Sequence, residues 1–398
     1  MACGPKISPA VQTPTLKYLY KMFSIWEQET VLRPQDVVIA GGGFAGLWSA
    51  FHLRRRYPKA KITILEKELL PSGASTRNAG FACFGSLGEL VADEAELGTE
   101  GMQRLVELRY KGLRQIEKWI RPGRIDLDWC GGYELFPPGQ LSGERQERDI
   151  DHINKTLQPI TGKRRTFRDV SEKRARFGFG HTEQLVFNRL EGALHSGRLA
   201  AELLQQLQAS GVRWLPGVAV TGFTELPDGV EIRSSAGFAL RSHYLVVANN
   251  TAAGTLLPEI KVTPARGQVL LTSPIEGLPW RGTFHADEGY YYFRNLGNRV
   301  LLGGARNKAF EEECSDERST TPLIQGELER FLDEVVLPGR KDTYRIEHRW
   351  SGIMGMGTEK WPVLKAVRPR VVAAVALGGI GVAVAPEAGK RAAKLIEL

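Results

Sequence analysis

The sequence feature that most constrains the fold is a glycine-rich turn between a buried strand and a helix. Residues 36–40 form an apolar run, which is typical of a strand inside a parallel sheet. Residues 44–56 have the periodicity of a helix, and residues 61–66 resemble a second strand. The turn between the first strand and the helix, residues 41–46, fits the pattern G-x-G-x-x-G. This order predicts a βαβ unit that binds a dinucleotide.

Glycine is needed at each of three positions of the turn for a different physical reason. Gly41 allows the tight turn, Gly43 allows the backbone to approach a pyrophosphate, and Gly46 allows the helix to pack closely on the strand. The start of the helix offers free N–H groups and the positive end of its dipole to the phosphates. Glu66, 20 residues after Gly46, can accept hydrogen bonds from ribose hydroxyls and disfavours a 2′-phosphate. The motif alone does not separate FAD from NAD.

Length and composition narrow the class of protein. A chain of 398 residues with 42% hydrophobic and 25% charged residues is typical of a globular protein of about two domains. The net charge of +8 is scattered, so we predict no nucleic-acid partner, although the basic surface could attract an anionic substrate. The four cysteines lie far apart without a CxxC pair, which argues against a zinc site, and no metal is predicted. We find no secretory signal and no run long enough for a membrane span, and we expect a cytoplasmic protein.

Five further segments occur in the order found in one known family. They are residues 71–81, 191–199, 264–269, 349–352 and 378–382. Together with the glycine turn they resemble the D-amino-acid oxidase superfamily, which includes glycine oxidase and sarcosine oxidase, over residues 36–398. The resemblance implies an α/β (α+β) fold with a Rossmann-like FAD-binding domain assembled from discontinuous segments and a substrate domain on a mixed antiparallel sheet. We assign residues 36–85, 190–260 and 345–398 to the FAD domain, 86–189 and 261–344 to the substrate domain, and 1–35 to an N-terminal extension.

By this resemblance the cofactor is FAD, and its contacts follow the motifs. The glycines of the turn and Glu66 would hold the ADP part, and residues 75–79 would run beside the flavin. Val218 or Val220 would approach the adenine, and residues 379–382 would close over the ring. The predicted cofactor-binding residues are Gly41, Gly43, Phe44, Ala45, Gly46, Glu66, Lys67, Ser75, Thr76, Arg77, Asn78, Ala79, Val218, Val220, Gly379, Ile380, Gly381 and Val382. Some members of the family attach FAD through a cysteine after the segment that corresponds to 349–352. Residues 353–357 contain no cysteine, so we predict non-covalent FAD.

The candidate substrate residues lie on one predicted strand. At strand spacing Tyr290, Tyr292 and Arg294 share a face, where aromatic rings could surround an amine and the guanidinium could bind a carboxylate. The alternative is a strand that packs the core, with Arg294 on a solvated edge. Trp350 is a further candidate for the wall of the site. Met354 stands where amino-acid oxidases of the family have their carboxylate-binding arginine, so either another cation replaces it or the substrate lacks that group.

The resemblance implies an FAD-dependent oxidoreductase that oxidises a small amine or amino-acid-like substrate by hydride transfer to flavin N5. Oxygen or another electron acceptor would then reoxidise the flavin. Orientation of the substrate carbon accounts for much of such a reaction, so no strong catalytic base is required. Two alternatives remain open: a dehydrogenase of a 2-hydroxy acid or polyol phosphate, and a non-catalytic FAD-binding subunit.

Overall fold

The computed structural model describes residues 23–398. Residues 1–22 of the predicted N-terminal extension lie outside the described residues, and the remainder of the extension contains one short helix. The α-helices are α1 (Ile25–Thr30), α2 (Phe44–Arg56), α3 (Ala74–Arg77), α4 (Leu87–Trp119, with a kink at Gly98), α5 (Gly143–Thr161), α6 (Arg174–Phe177), α7 (Ser196–Ala209), α8 (Ala253–Leu256), α9 (Pro322–Phe331) and α10 (Gly381–Lys394). None of the helices within residues 23–398 combines the length and the apolar character needed to cross a bilayer.

The strands form two large sheets and a small two-stranded one. They are β1 (Gln35–Ala40), β2 (Ile62–Glu66), β3 (Phe81–Ala82), β4 (Gly132–Phe136), β5 (Phe167–Asp169), β6 (Gln184–Asn188), β7 (Gly192–Ala193), β8 (Arg213–Pro216), β9 (Val220–Leu226), β10 (Gly229–Ser234), β11 (Ala239–Val247), β12 (Thr263–Thr272), β13 (Thr283–Ala286), β14 (Tyr291–Leu296), β15 (Arg299–Gly304), β16 (Ile346–Met356), β17 (Val363–Arg368) and β18 (Val371–Val375).

The first sheet is the predicted Rossmann-like unit. Its order is β17-β18-β11-β1-β2-β8, with β10 and β9 attached beside β11. Strand β1 lies at the centre and pairs in parallel with both β2 and β11. Val37, Val38 and Ile39 are fully buried, as expected for a strand covered on both faces. The predicted α/β fold with discontinuous segments is confirmed, because strands from residues 35–66, 213–247 and 363–375 share this sheet.

Two glycines set how closely the helices lie on this sheet. A Cβ on Gly46 would come within 1.9 Å of the carbonyl oxygen of Gly41, so only glycine lets α2 start directly above β1. A Cβ on Gly389 of α10 would lie 2.4 Å from the backbone of Trp48, where α10 crosses α2. Because β1, β11 and β18 are parallel, the helices that follow β1 and β18 both begin at the carboxyl edge of the sheet.

The second sheet has the order β16-β12-β15-β14-β13-β4-β6-β5. All neighbouring pairs are antiparallel except β13 and β4, which agrees with the predicted mixed antiparallel sheet. One face carries an aromatic core around Phe284 and Phe293, whose rings stack at 4.8 Å. The domain boundaries remain a prediction, with one difference: β16 was assigned to the FAD domain but pairs with β12 of the second sheet along most of its length.

Candidate active site

One cavity of about 1150 Å³ extends from the glycine turn after β1 to the second sheet. It is lined at one end by Gly41 and Glu66 and at the other by His285 and Tyr292. Sites for small molecules usually have volumes of roughly 300–1,000 Å³. The cavity is therefore large enough for an extended cofactor with a small substrate beside it.

The glycine turn offers unpaired donors at the first end. The N–H groups of Gly43 and Ala45 line the cavity and make no hydrogen bond within residues 23–398. The N–H of Phe44 donates to Ser75 Oγ at 2.8 Å, and the N–H of Gly42 donates to Glu66 Oε2 at 2.7 Å. Free N–H groups at the start of α2 fit a diphosphate, and the Glu66 carboxylate beside them fits ribose hydroxyls.

Asn78 makes several of the hydrogen bonds that fix the loop after β2. Asn78 Oδ1 accepts hydrogen bonds from the N–H of Gly80 at 2.8 Å and from Ser196 Oγ at 2.5 Å. The Asn78 amide nitrogen donates to the carbonyl oxygens of Ala74 and Ser75. These bonds hold the backbone of residues 78–80 along the cavity wall, where the sequence predicts the flavin.

A second group of unpaired donors lies at the start of α10. The N–H groups of Gly379, Ile380, Gly381 and Val382 all line the cavity and donate no hydrogen bond within the described part of the chain. They stand at the positive end of a 14-residue helix. This arrangement suits a group that accepts hydrogen bonds and becomes negative on reduction, as the pyrimidine end of a flavin does. The residues present therefore fit FAD at both ends of the cavity.

The predicted cofactor residues converge on this cavity with three exceptions. Those that line it are Gly41, Gly43, Phe44, Ala45, Glu66, Lys67, Ser75, Arg77, Asn78, Ala79, Val220, Gly379, Ile380, Gly381 and Val382. Gly46 packs against Gly41, Thr76 donates its hydroxyl hydrogen to the Pro71 carbonyl, and Val218 donates its N–H to the Glu66 carbonyl at 2.8 Å. These three residues support the shape of the site but do not line the cavity.

The second sheet forms the opposite wall, and glycines make room in it. The ring of Tyr292 lies over Gly303, where an added Cβ would meet it at 2.6 Å. Its hydroxyl faces Gly267 and has no hydrogen-bond partner among residues 23–398. Burial raises the pKa of Tyr292 to about 12, so the phenol stays protonated and can donate. Tyr290 and Met354 line the cavity on either side.

The structure places Arg294 and Trp350 away from the cavity surface, whereas the sequence predicted both as candidate residues of the substrate site. Arg294 shares a face of β14 with Tyr292, but its side chain is buried and donates from Nη1 to the carbonyl oxygens of Gly80 at 2.8 Å and Leu194 at 2.9 Å. It therefore occupies neither a substrate pocket nor a solvated edge. Trp350 donates from Nε1 to the Arg77 carbonyl at 3.0 Å and supports the loop from behind.

Sequence reasoning missed a buried polar cluster beneath the second-sheet end of the cavity. His285 Nε2 lies 2.5 Å from Glu191 Oε1, which also accepts from Thr283 Oγ1 at 2.7 Å. Cys83 lies within the same cluster, and burial raises the pKa of its thiol. Only the strand spacing of Thr283 and His285, which puts both on one face, could have indicated the cluster from sequence.

Glu134 is a second buried carboxylate near this pair. Burial raises its pKa to about 7, although bonds from the N–H of Gly88 and the hydroxyl of Ser86 oppose the shift. Burial alone would lower the pKa of His285, but the charge of Glu191 and its hydrogen bond raise it above the ordinary value of 6.5. The Glu191 carboxylate thus favours the charged form of the buried imidazole, against the effect of burial.

Substitution Glu191→Gln tests this pair through the pH dependence of stability. A histidine whose pKa is raised on folding adds stability that is fully present below its unfolded pKa, near 6.5, and is lost as the pH rises through its folded pKa. We expect the variant to lose about 1–2 kcal/mol of unfolding free energy at pH 5.5 and progressively less at alkaline pH. Thermal unfolding midpoints of both proteins from pH 5 to 9 measure this. A difference that stays constant with pH would contradict it.

A charged cluster borders the cavity on the side of α4. Asp93, which is almost fully buried, accepts from Arg109 Nη1 at 3.3 Å and from Lys360 Nζ at 2.7 Å. Arg109 also reaches Glu89 at 3.1 Å. Lys360 also reaches Glu96 Oε2 at 2.7 Å, so both bases of the cluster pair with carboxylates and neither is left as a free cation.

The nucleotide-binding turn, the second donor group and the wall between them agree with one family. The sequence profile of the DAO family, described as FAD dependent oxidoreductase, matches residues 36–395. The chain belongs to this family. The predicted resemblance is confirmed, and with it an FAD-dependent oxidoreductase.

The relatives of this DAO-family chain include enzymes named for an amine derivative and for a hydroxy acid. The chain is 28% identical to a probable oxidoreductase OrdL of Rhizobium meliloti, over 91% of this chain and 83% of the relative. It is 24% identical to gamma-glutamylputrescine oxidoreductase of Escherichia coli, with the same coverage. A weaker match, 25% identical over 60% of this chain and 54% of the relative, is L-2-hydroxyglutarate dehydrogenase of E. coli. The fold is similar to that of glycine oxidase from Bacillus cereus, with a TM-score of 0.72, 18% identity and coverage of 91% and 94%.

Proposed function

We propose that the protein oxidises a C–N bond of a small amine or amino-acid-like substrate, with non-covalently bound FAD as the electron acceptor. The observation that supports this most is the continuity of the cavity. The unpaired N–H groups belong to residues 379–382, which would hold the flavin, and these residues line the same space as Tyr292, which would contact the substrate.

The chain's own residues would bind and orient the substrate. Bound FAD would supply the two-electron acceptor for a hydride from the carbon next to nitrogen. Tyr292 would donate its free hydroxyl hydrogen to the substrate, and the aromatic rings of Tyr290 and Phe81 would exclude water from the space around the amine. His285 is anchored by Glu191, which fixes the ring orientation at the same wall.

Non-covalent attachment is supported by the residues around the flavin end. Cysteine is absent from the described lining there except for Cys83, which is buried beside Glu191 and whose thiol pKa is raised, so it is a poor nucleophile. The electron acceptor is proposed to be oxygen or another small acceptor that reaches the same cavity.

One observation favours the second candidate, a 2-hydroxy-acid dehydrogenase: the match to L-2-hydroxyglutarate dehydrogenase. That match spans less of the chain than the matches to OrdL and to the putrescine-derivative enzyme. The non-catalytic alternative lacks a specific observation in its favour.

Anaerobic reduction of the bound flavin separates these candidates. The purified holoprotein is mixed with primary amines, secondary amines, amino acids and L-2-hydroxyglutarate, and the flavin absorbance band is followed. We expect at least one nitrogen compound to bleach the flavin and L-2-hydroxyglutarate to leave it oxidised. Bleaching by the hydroxy acid alone would favour the second candidate. Reduction by dithionite but by no compound of the panel would favour a non-catalytic role.

A further inference from the structure

Seven basic side chains line the cavity, and six of them have partners within the chain. The six are Lys67, Arg77, Arg109, His285, Arg318 and Lys360, each of which has a carboxylate or backbone oxygen within reach. The guanidinium of the seventh, Arg306, makes no hydrogen bond or ion pair within residues 23–398. Its contact is the ring of Phe310, with Cζ 4.7 Å from the centroid.

The backbone around Arg306 is held firmly. The preceding residue, Ala305, is fully buried in the left-handed region at φ 58° and donates its N–H to the Tyr290 carbonyl at 2.7 Å. The side chain of the following residue, Asn307, donates to Asp287 Oδ2 at 2.8 Å. A left-handed alanine costs free energy that the surrounding structure must offset, and such positions are concentrated at functional sites. The short 3₁₀ helix that carries Arg306 is therefore fixed at the end of β15.

Arg306 lies near the part of the cavity that is proposed to hold the substrate. Strand β15 lies beside β14, and the ring of Tyr290 contacts the ring of Phe310 at 5.7 Å. The charge of Arg306 also reaches the Tyr292 phenol, whose pKa it lowers slightly against the dominant effect of burial. The opposite wall, where Ile353 and Met354 of β16 line the cavity, offers no charge.

We propose that Arg306 binds a carboxylate of the substrate and so selects substrates that carry an acidic group. This inference rests on the proposed function, since it places the group beside the reacting C–N bond. A half-buried guanidinium without a carboxylate neighbour is complementary to an anion, and its planar fork can make two parallel hydrogen bonds to one. Arg77 also lacks an ion pair but donates to the Ser351 carbonyl, so Arg306 is the one basic side chain of the described lining whose nitrogens have no oxygen partner.

Propionate tests the assignment without any turnover. Its binding to the oxidised holoprotein is followed by the change it causes in the flavin spectrum. We expect Arg306→Met to raise the dissociation constant of propionate by roughly tenfold or more, and Arg306→Lys, which keeps the charge but loses the fork, to raise it by a smaller factor. Lys308→Met is the matched control, because Lys308 is exposed on the same 3₁₀ helix but does not line the cavity. It should change the constant by less than about twofold.

The outcomes distinguish this inference from the proposed function. The inference is overturned if the dissociation constant of propionate for Arg306→Met lies within twofold of that for the unchanged protein. It is also overturned if propionate does not bind the unchanged protein saturably. In either case, bleaching of the flavin by an amine would still support the proposed function. If Arg306→Met weakens propionate binding but no nitrogen compound bleaches the flavin, the anion site stands and the function fails. FAD content and thermal unfolding of each variant show whether its fold is intact.

Discussion

Gly43→Val is expected to lower the affinity for FAD by at least ~100-fold, about 2.8 kcal/mol, while the chain still folds. The backbone at Gly43 is extended, with φ −72° and ψ −179°, a conformation that valine adopts readily. A Cβ there would lie 3.1 Å from Ser75 Oγ, and the added methyl groups would occupy the space in front of the unpaired N–H groups of Gly43 and Ala45. A diphosphate could then no longer reach these donors.

The measurement is the FAD-to-protein ratio after purification, taken on the supernatant of the heat-denatured protein. A non-covalently held cofactor appears there, whereas a covalently attached one stays with the precipitate. Gly123→Val is the control, since an added Cβ at Gly123 meets no atom within 4 Å and the residue lies outside the cavity. A Gly43→Val protein that keeps about one FAD per chain would show that the glycine turn does not hold the diphosphate.

Arg294→Met is expected to lower the free energy of unfolding by about 2–4 kcal/mol, because it removes the Arg294 donor from the Leu194 carbonyl and leaves the Gly80 carbonyl with only the Leu194 N–H. The guanidinium joins the loop after β2 to the segment before α7, through the carbonyls of Gly80 and Leu194. Burial lowers the pKa of Arg294, although a guanidinium stays charged in proteins. Urea unfolding followed by tryptophan fluorescence measures the loss.

Arg281→Met is the matched control for Arg294. The Arg281 side chain is 70% exposed and forms an ion pair with Asp128, so its removal should cost about 0–1 kcal/mol. If Arg294 were instead a substrate-binding residue, Arg294→Met would keep its stability within about 0.5 kcal/mol and lose only substrate affinity. That result would contradict the bracing role that the structure gives it.

The Rossmann-like sheet was predictable because its sequence signals are local. The glycines of residues 41–46 are demanded by contacts with their immediate neighbours, as the 1.9 Å approach of a Cβ on Gly46 to Gly41 illustrates. Strand β16 was misplaced for the opposite reason. Its apolar and glycine residues fit either sheet, and only its register with β12, which lies some 80 residues earlier in the chain, decides the partner.

The substrate wall was harder to predict than the cofactor end. Strand alternation correctly put Tyr292 and Arg294 on one face, but it could not show that the longer Arg294 side chain turns to the carbonyls of Gly80 and Leu194. Likewise, Arg306 follows a strand end without any motif. Arg306 stands out only because its guanidinium has no oxygen partner among the described residues. That can be recognised only once the positions of the other charged groups of the cavity are known.

The most direct test of the proposed C–N oxidation is a single-turnover balance. The holoprotein is reduced anaerobically with a nitrogen compound that bleaches it, and the products are quantified after denaturation. We expect one equivalent of carbonyl product and one equivalent of released ammonia or amine for each FAD reduced, because the imine that forms first hydrolyses in water. Flavin reduction without release of nitrogen, or with a 2-oxo acid formed only from a hydroxy acid, would contradict it.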